Sequence, residues 1–349
     1  VSRIAINDYI SARGMSGSSR TAKLISQALA ENFDVDRFAP RSLASTRLGR
    51  LAEMIWWDNI EAPRRAARSG AEAIIHCTNV GLPTPTMKSI VVVHDVMALD
   101  HPNLFDKNYV RYLRVVMPQT IHRAALLVTP SEHSKRRIMS YWPTANVQVV
   151  PWVDPRGSAP QKCAYPGGEF KVLVVSSIDM HKRVDLAVSA VGLARSLTGI
   201  DFQLTVVGRP GNAEEEFRKC LKLHDSDSRW TRRLIGIGDD ELSDLYAASH
   251  CLLVPSIDEG FCLPVLEAGR HALPVVHTGR GSLNEVAGTA FSADQNPDDD
   301  ILVISKSLVS LADEPIWRHA SEASRAAVTR FKWSEFVEAW SQTVKEAVV

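Results

Sequence analysis

No sign of charge dominates this sequence: 40 lysines and arginines stand against 40 aspartates and glutamates. That balance removes a whole-surface field for nucleic acid or another polyanion and leaves only local patches. Cysteine is scarce as well. The 5 cysteines, at 77, 163, 220, 251 and 262, have no C-x-x-C spacing, so reduced, packed thiols are expected rather than bridges or metal ligands. That usage favours the cytoplasm. Nowhere do about eighteen apolar residues run together, and the opening "SRIAIN" has no apolar segment behind it, so neither a membrane span nor a signal peptide is expected. Tandem repeats and low-complexity blocks are missing too. The first strand-to-helix turn, "SARGMSGSSR", is not G-x-G-x-x-G, which disfavours a dinucleotide-binding dehydrogenase.

What the sequence has in quantity is short apolar runs separated by helix-length segments. "AEAIIHC", "SIVVVHD", "AALLVTP" and "VQVVPWV" fall in the first half; "FKVLVVSS", "FQLTVVG", "TRRLIGIG", "HCLLVPS" and "LPVVHT" follow. Continuous β-branched runs of this kind predict parallel strands buried on both faces, hence an α/β protein. At 349 residues the chain exceeds what one hydrophobic core usually serves. Two Rossmann-like domains are expected, over 1–155 and 156–331, joined where prolines and glycines break the periodicity of "VDPRGSAPQKCAYPGGEF". Residues 332–349 carry Phe336, Val337, Trp340, Val344 and Ala347 near helical spacing, which predicts a helix crossing back to the first domain.

Two glutamates, Glu259 and Glu267, flank a glycine and a proline in "PSIDEGFCLPVLEAGRHALPVV". The run before them predicts a strand end, and Pro264 suits the first turn of a helix, where a missing N–H costs nothing. Glu259 then lies in the loop and Glu267 in the first helical turns. Leu263, just before Pro264, cannot cap that helix, and Gly260 permits a close backbone approach. A helix start at the carboxyl end of a parallel strand is an anion site, with phosphate its natural occupant. The same pair could instead serve only the helix dipole.

The longer string "DEGFCLPVLEAGRHALPVVHTGRGSLNEVAG" resembles the E-x(7)-E motif and following segment of the family-4 retaining glycosyltransferases, which have the GT-B fold, two Rossmann-like domains facing a cleft. "GIGDDELSDLYAASHCLLVPS" and "SADQNPDDDILVIS" extend the likeness, and "VVVHDVMALDHPNLF" and "LLVTPSEHSKRRI" carry it loosely into the first half. The resemblance implies that Glu267 holds the ribose hydroxyls of a nucleotide-sugar. It implies that Glu259 lies beside the donor sugar and that the amides of Gly260, Phe261 and Cys262, with Leu263 next to them, approach the sugar and diphosphate.

"VVSSIDMHKRVDLAV" is similar to the family segment whose lysine, here Lys182, binds the diphosphate. Many members have an arginine where Ser177 or His181 stands; Arg183, or a protonated His181, is expected to supply that charge. His94, after "SIVVVHD", matches the family histidine near the donor sugar, with Asp95 orienting its ring. The loop with Gly14 and Gly17 matches one that faces the family's cleft, and a plain connector with Ser18 or Ser19 as helix cap is the alternative. Arg209 lies near the cleft by the same likeness, and Ile235 with Gly236 borders the base. Asn284 and Glu285 are expected to cap and start a short helix.

No metal is expected. "DVD" at 34–36 reads as part of a strand and "DSD" at 225–227 as a polar surface segment, so both D-x-D matches count as chance. No cofactor is implied beyond the GDP- or UDP-linked sugar used as substrate. The implied reaction is transfer of a hexose, with GDP-mannose the first donor to try, to a saccharide or lipid-linked saccharide, with retention of configuration. The alternatives are a nucleotide-sugar-binding protein without catalysis and a sugar-nucleotide epimerase of the same fold. Arginines and a Trp56–Trp57 pair at 47–70, with the basic cluster at 135–137, raise peripheral contact with the inner face of a membrane.

Overall fold

The computed structural model describes residues 2–13, 17–40, 44, 46–81, 87–157, 165, 168–293 and 296–348. It divides into two compact units, Val1–Pro155 with Phe331–Val349, and Arg156–Arg330.

The first unit is built on a 6-stranded parallel sheet. Its strands are β1 (Arg3–Asn7), β2 (Asp34–Phe38), β3 (Ala73–His76), β4 (Lys88–Val92), β5 (Leu126–Thr129) and β6 (Val147–Val149), in spatial order β2-β1-β3-β4-β5-β6. Every residue of β3 and β5 is buried, as apolar strands covered on both faces must be. Its helices are α1 (Gly17–Leu29), α2 (Arg47–Trp56), α3 (Ala62–Ser69), α4 (Met97–Asp100), α5 (Lys107–Arg123) and α6 (Glu132–Tyr141).

The second unit repeats the plan with a 5-stranded parallel sheet. β7 (Phe170–Val175), β8 (Phe202–Val207), β9 (Thr231–Leu234), β10 (Cys251–Val254) and β11 (Val275–His277) lie in the order β11-β10-β7-β8-β9. Between and after them come α7 (Val184–Thr198), α8 (Glu214–His224), α9 (Asp239–Ala248), α10 (Leu263–Arg270), α11 (Leu283–Ala287), α12 (Asp300–Leu311) and α13 (Glu314–Val328). Strand order runs one way from β7 to β9 and the other way through β10 and β11. The reversal between β7 and β10 opens a crevice at their carboxyl ends, where α/β sheets take ligands.

The chain then returns to the first unit as α14 (Trp333–Val348). Phe336, Val337, Trp340, Val344 and Ala347 form its buried face. Phe336 meets Trp152 with ring centroids 6.2 Å apart, and Trp340 packs on Phe336 at 6.3 Å. Each such large apolar side chain contributes about 1.5–3 kcal/mol on burial. Polar contacts fix the register: Asn32 Nδ2 donates to Ser341 Oγ at 3.0 Å and Thr343 Oγ1 to Gln148 Oε1 at 2.9 Å.

The basic stretch 47–70 is not one amphipathic surface helix. A π-helical turn, Trp57–Glu61, separates α2 from α3 and drives Trp57 and Asp58 inward. Trp56 remains 47% exposed while Trp57 is 1% exposed, so half of the tryptophan pair belongs to the core. Arg65 stacks over the Trp57 ring at 5.0 Å and pairs with Glu61. Among the described residues no helix is long and apolar enough to cross a membrane.

Trp57 Nε1 donates to Asn7 Oδ1 at 2.7 Å, and Asn7 Nδ2 donates to Asp58 Oδ1 at 2.7 Å while lying 3.1 Å from His76 Nδ1. Burial pushes the Asp58 carboxyl up to about 7 and the His76 ring down to about 4. The raised Asp58 value adds stability that is complete in acid and is lost as pH rises through about 7. The lowered His76 value adds stability that is complete above about 6.5 and is lost as pH falls through about 4. Over the shared window the two slopes oppose each other. In Asp58→Asn the His76 slope stands alone, so stability relative to the native chain should climb by about 1.4 kcal/mol per pH unit between about 4 and 6.5. Urea unfolding at a series of pH values measures it, and parallel profiles for the two proteins would refute it.

Candidate donor-binding site

The second unit's sequence-predicted residues lie in the loops that leave the carboxyl ends of its strands. Ser177, His181, Lys182 and Arg183 follow β7; Arg209 follows β8; Ile235 and Gly236 follow β9; Glu259 to Cys262 follow β10, with Leu263 and Glu267 in α10. Tight glycine contacts draw these loops together. A β-carbon at Gly208 would fall 1.8 Å from the carbonyl oxygen of Ser176, so the turn after β8 can lie on the turn after β7 only without a side chain.

The loops after β7 and β10 meet directly. Lys182 Nζ donates to Glu259 Oε1 at 2.7 Å, and Ser256 Oγ donates to the same oxygen at 2.6 Å. The Ile257 N–H donates to the His181 carbonyl at 2.8 Å, and Thr278 Oγ1 donates to the Ser256 carbonyl at 2.6 Å. Glu259 is buried and Lys182 is 21% exposed at its side chain, so the pair sits at the rim of the crevice rather than in the core. An ammonium so placed can exchange one anion for another.

Cys262 begins α10 from a left-handed backbone, φ +74°, and no side chain caps the helix. Burial first, then the nearby Glu259 charge, push its thiol well up, so it stays a neutral thiol. Glu267 lies in the second turn of α10. Its Oε2 accepts from the Tyr246 hydroxyl at 2.7 Å and its Oε1 from Arg156 Nη2 at 3.4 Å. Two donors from different parts of the chain thus fix the direction of this buried carboxylate, a group that accepts hydroxyl donors well.

Several expectations change. Burial first, and then the Lys182 charge, lower the His181 ring to about 4, so a protonated His181 does not supply the missing cation at neutral pH. Arg183 is committed elsewhere: its Nη1 donates to the buried carboxylate of Asp300, which also receives both Arg280 nitrogens. The Ser177 hydroxyl is bound to Asp179. Asp225 is no surface residue: it is buried, and its carboxylate accepts the N–H groups of Arg229, Trp230 and Thr231. Asp34 pairs with Arg3 at 2.7 Å, so both D-x-D matches have structural duties. Arg209 and Ile235 are exposed, Ile235 by 56%, and the Arg209 carbonyl accepts the Ile178 N–H.

His94 belongs to the first unit, at the carboxyl end of β4. Its Nε2 lies 3.1 Å from the Cys77 carbonyl, which can only accept, so that nitrogen carries the proton. Asp95 Oδ1 accepts the Met97 N–H at 3.0 Å, and the His94 ring packs by Trp152 at 5.8 Å between centroids. Gly17 is the first residue of α1, whereas Gly14 and Cys163 lie outside the described residues. Cys77, Cys220, Cys251 and Cys262 are free thiols.

Sequence reasoning missed Ser256, Tyr246, Arg156, Arg280 and Asp300. Tyr246 and Arg156 reach Glu267, and Asp300 reaches Arg183, across gaps in the chain that no local pattern marks, and Arg280 joins them through Asp300. Ser256 alone had a local signal, a hydroxyl three residues before Glu259 at a strand's end.

Residues 169–314 match the family model described as Glycosyl transferases group 1. The chain is 26% identical over 287 residues to O-antigen chain mannosyltransferase B of Escherichia coli, covering 78% of this chain and 74% of that one. It is 28% identical over 167 residues to the MMP alpha-(1->4)-mannosyltransferase of Mycolicibacterium hassiacum, covering 47% and 40%. Among solved structures, sucrose-phosphate synthase from Thermosynechococcus elongatus superposes with a TM-score of 0.77 at 15% identity, over 99% of both chains. Residues 169–314 thus carry a Glycosyl transferases group 1 domain, and the two parallel-sheet units have the GT-B fold of that solved structure.

Proposed function

We propose that the second unit binds a nucleoside-diphosphate sugar and that the protein passes the sugar, a hexose with mannose first in line, to a saccharide or lipid-linked saccharide. The observation that carries this reading is the meeting of Lys182 and Glu259 at 2.7 Å across the reversal between β7 and β10. Glu267 stands behind them on α10, already oriented. The mannosyltransferase names of the two relatives support the choice of sugar.

In the proposed cycle the donor diphosphate takes the Lys182 ammonium from Glu259, and the freed Glu259 carboxylate accepts from sugar hydroxyls. Ribose hydroxyls donate to Glu267. When the bond between the anomeric carbon and the phosphate oxygen breaks, its electron pair stays on that oxygen, and Lys182 with the α10 amino end meets the new charge. Fixed cations do this work in the proposal, without a metal. The acceptor oxygen bonds the anomeric carbon from the side the phosphate leaves, and its proton passes to the departing oxygen, so configuration is retained.

The test is a thermal-shift panel of nucleoside diphosphates followed by GDP-mannose turnover with a saccharide acceptor. A ligand that binds only the folded form at about 100 times its Kd adds about 2.7 kcal/mol, enough for a clear shift. Stabilisation by GDP or UDP with a retained glycosidic product supports the reading. No shift with any nucleotide sinks it, and binding without transfer selects the non-catalytic alternative.

A further inference from the structure

Asp300 opens α12, and its side chain has no exposed surface. Its carboxylate collects three N–H bonds from two guanidinium groups: Arg183 Nη1 to Oδ2, Arg280 Nη1 to Oδ2 at 2.6 Å, and Arg280 Nη2 to Oδ1 at 2.8 Å. Burying such a cluster is a poor route to stability, because desolvating three charges offsets most of their attraction. Its geometric effect is larger.

Arg183 is the residue after Lys182 and holds a left-handed backbone, φ +50°, at the start of α7. That conformation is uncommon for a residue with a side chain and is kept only where the surroundings enforce it. Arg280 precedes Gly281, whose φ is +67° and whose β-carbon, were there one, would lie 2.2 Å from Asp258 Oδ1 and 2.4 Å from the Glu259 nitrogen. The next residue, Ser282, donates its N–H to the Glu259 carbonyl at 2.9 Å. One carboxylate therefore holds the segment that presents Lys182 and the segment pressed against Glu259.

We infer that Asp300 is a positioning residue for the donor-phosphate site, setting Lys182 against Glu259 through Arg183 and Arg280 and keeping Arg183 off the phosphate itself. The inference rests on the donor reading above. A direct phosphate role for Arg183 makes the opposite forecast for Asp300→Asn, because losing the carboxylate frees that guanidinium for the ligand.

The experiment is calorimetric titration of GDP and UDP into the whole chain and its variants Asp300→Asn, Arg280→Met and Arg183→Lys, each checked for folding by circular dichroism, with donor and acceptor KM and kcat alongside. Asp300→Asn and Arg280→Met should weaken nucleotide binding roughly tenfold or more, since a misplacement of about 1 Å has effects of that size. Donor KM should rise and acceptor KM hold, a split that general destabilisation does not produce. Arg183→Lys, which keeps a cation for Asp300, should recover much of the affinity. Native or tighter binding in Asp300→Asn overturns the inference. If Asp300→Asn does not fold, Arg280→Met decides in the same sense. If the native chain binds neither nucleotide, the donor reading fails by itself. A crystal structure of Arg280→Met then decides positioning: a Lys182–Glu259 contact unchanged from 2.7 Å overturns it, and a broken one supports it.

Discussion

Lys182→Ala should turn over roughly a hundred to a thousand times more slowly than the native enzyme, the loss typical for removing one donor aimed at charge that develops in the transition state. The expectation comes from position. Lys182 Nζ is the cation that meets the β10 loop, while Arg183 is held by Asp300 and His181 is neutral. The loss should fall mainly on kcat, because in the proposed transfer the charge on the departing diphosphate grows as the bond breaks. Removing the ammonium also strips Glu259 of one of the two donors on Oε1, leaving Ser256, so a modest fall in stability accompanies the kinetic effect. Lys182→Arg separates the two: it restores charge and the ion pair, and should regain part of the rate. Product release at saturating donor, with thermal melts for folding, is the measurement. Near-native turnover in Lys182→Ala would remove this residue from the mechanism.

Glu267→Ala should weaken GDP or UDP binding by roughly ten- to a hundredfold while touching kcat much less, since a hydrogen bond to a charged group contributes about 1.5–3 kcal/mol. Truncation also leaves the Tyr246 hydroxyl without its 2.7 Å partner, which confuses a single mutant. Two controls resolve this. Tyr246→Phe keeps the carboxylate and loses only its aim, so its effect should be smaller. A deoxyribose nucleotide lacks one hydroxyl, and the native preference for ribose should vanish in Glu267→Ala if that carboxylate reads the sugar. A ribose preference undiminished in the variant would contradict the assignment, as would unchanged affinity in calorimetry.

The sheets were legible in the sequence because a parallel strand buried on both faces has to be an apolar run, and "AIIH", "FKVLVV" and "CLLV" are such runs. Proline and glycine marked the start of α10 for equally local reasons. What the sequence hid is set by strand order. Lys182 and Glu259 are 77 residues apart and meet only because β10 inserts beside β7. Arg183 and Asp300, 117 apart, share a bond for which no local pattern exists. Protonation was hidden for the same reason: His181 follows a polar turn in the sequence, but its neutral state comes from burial that only the packed loops create. The π-helical turn at Trp57 defeats a uniform 3.6-residue reading of 47–70, so a tryptophan that completes the core looked like part of a surface anchor.

The return of α14 bears on how the molecule is made. Residues 156–330 form a unit from one unbroken piece of chain, whereas the other unit needs Phe331–Val349 to finish its packing. The later segment can close its core from its own residues, while the earlier one waits for Phe336 and Trp340 to dock. Trp152, destined to pack on Phe336, stays uncovered until it does. A released chain truncated before Phe336 should therefore present a protease-sensitive amino-terminal half attached to a resistant neighbour.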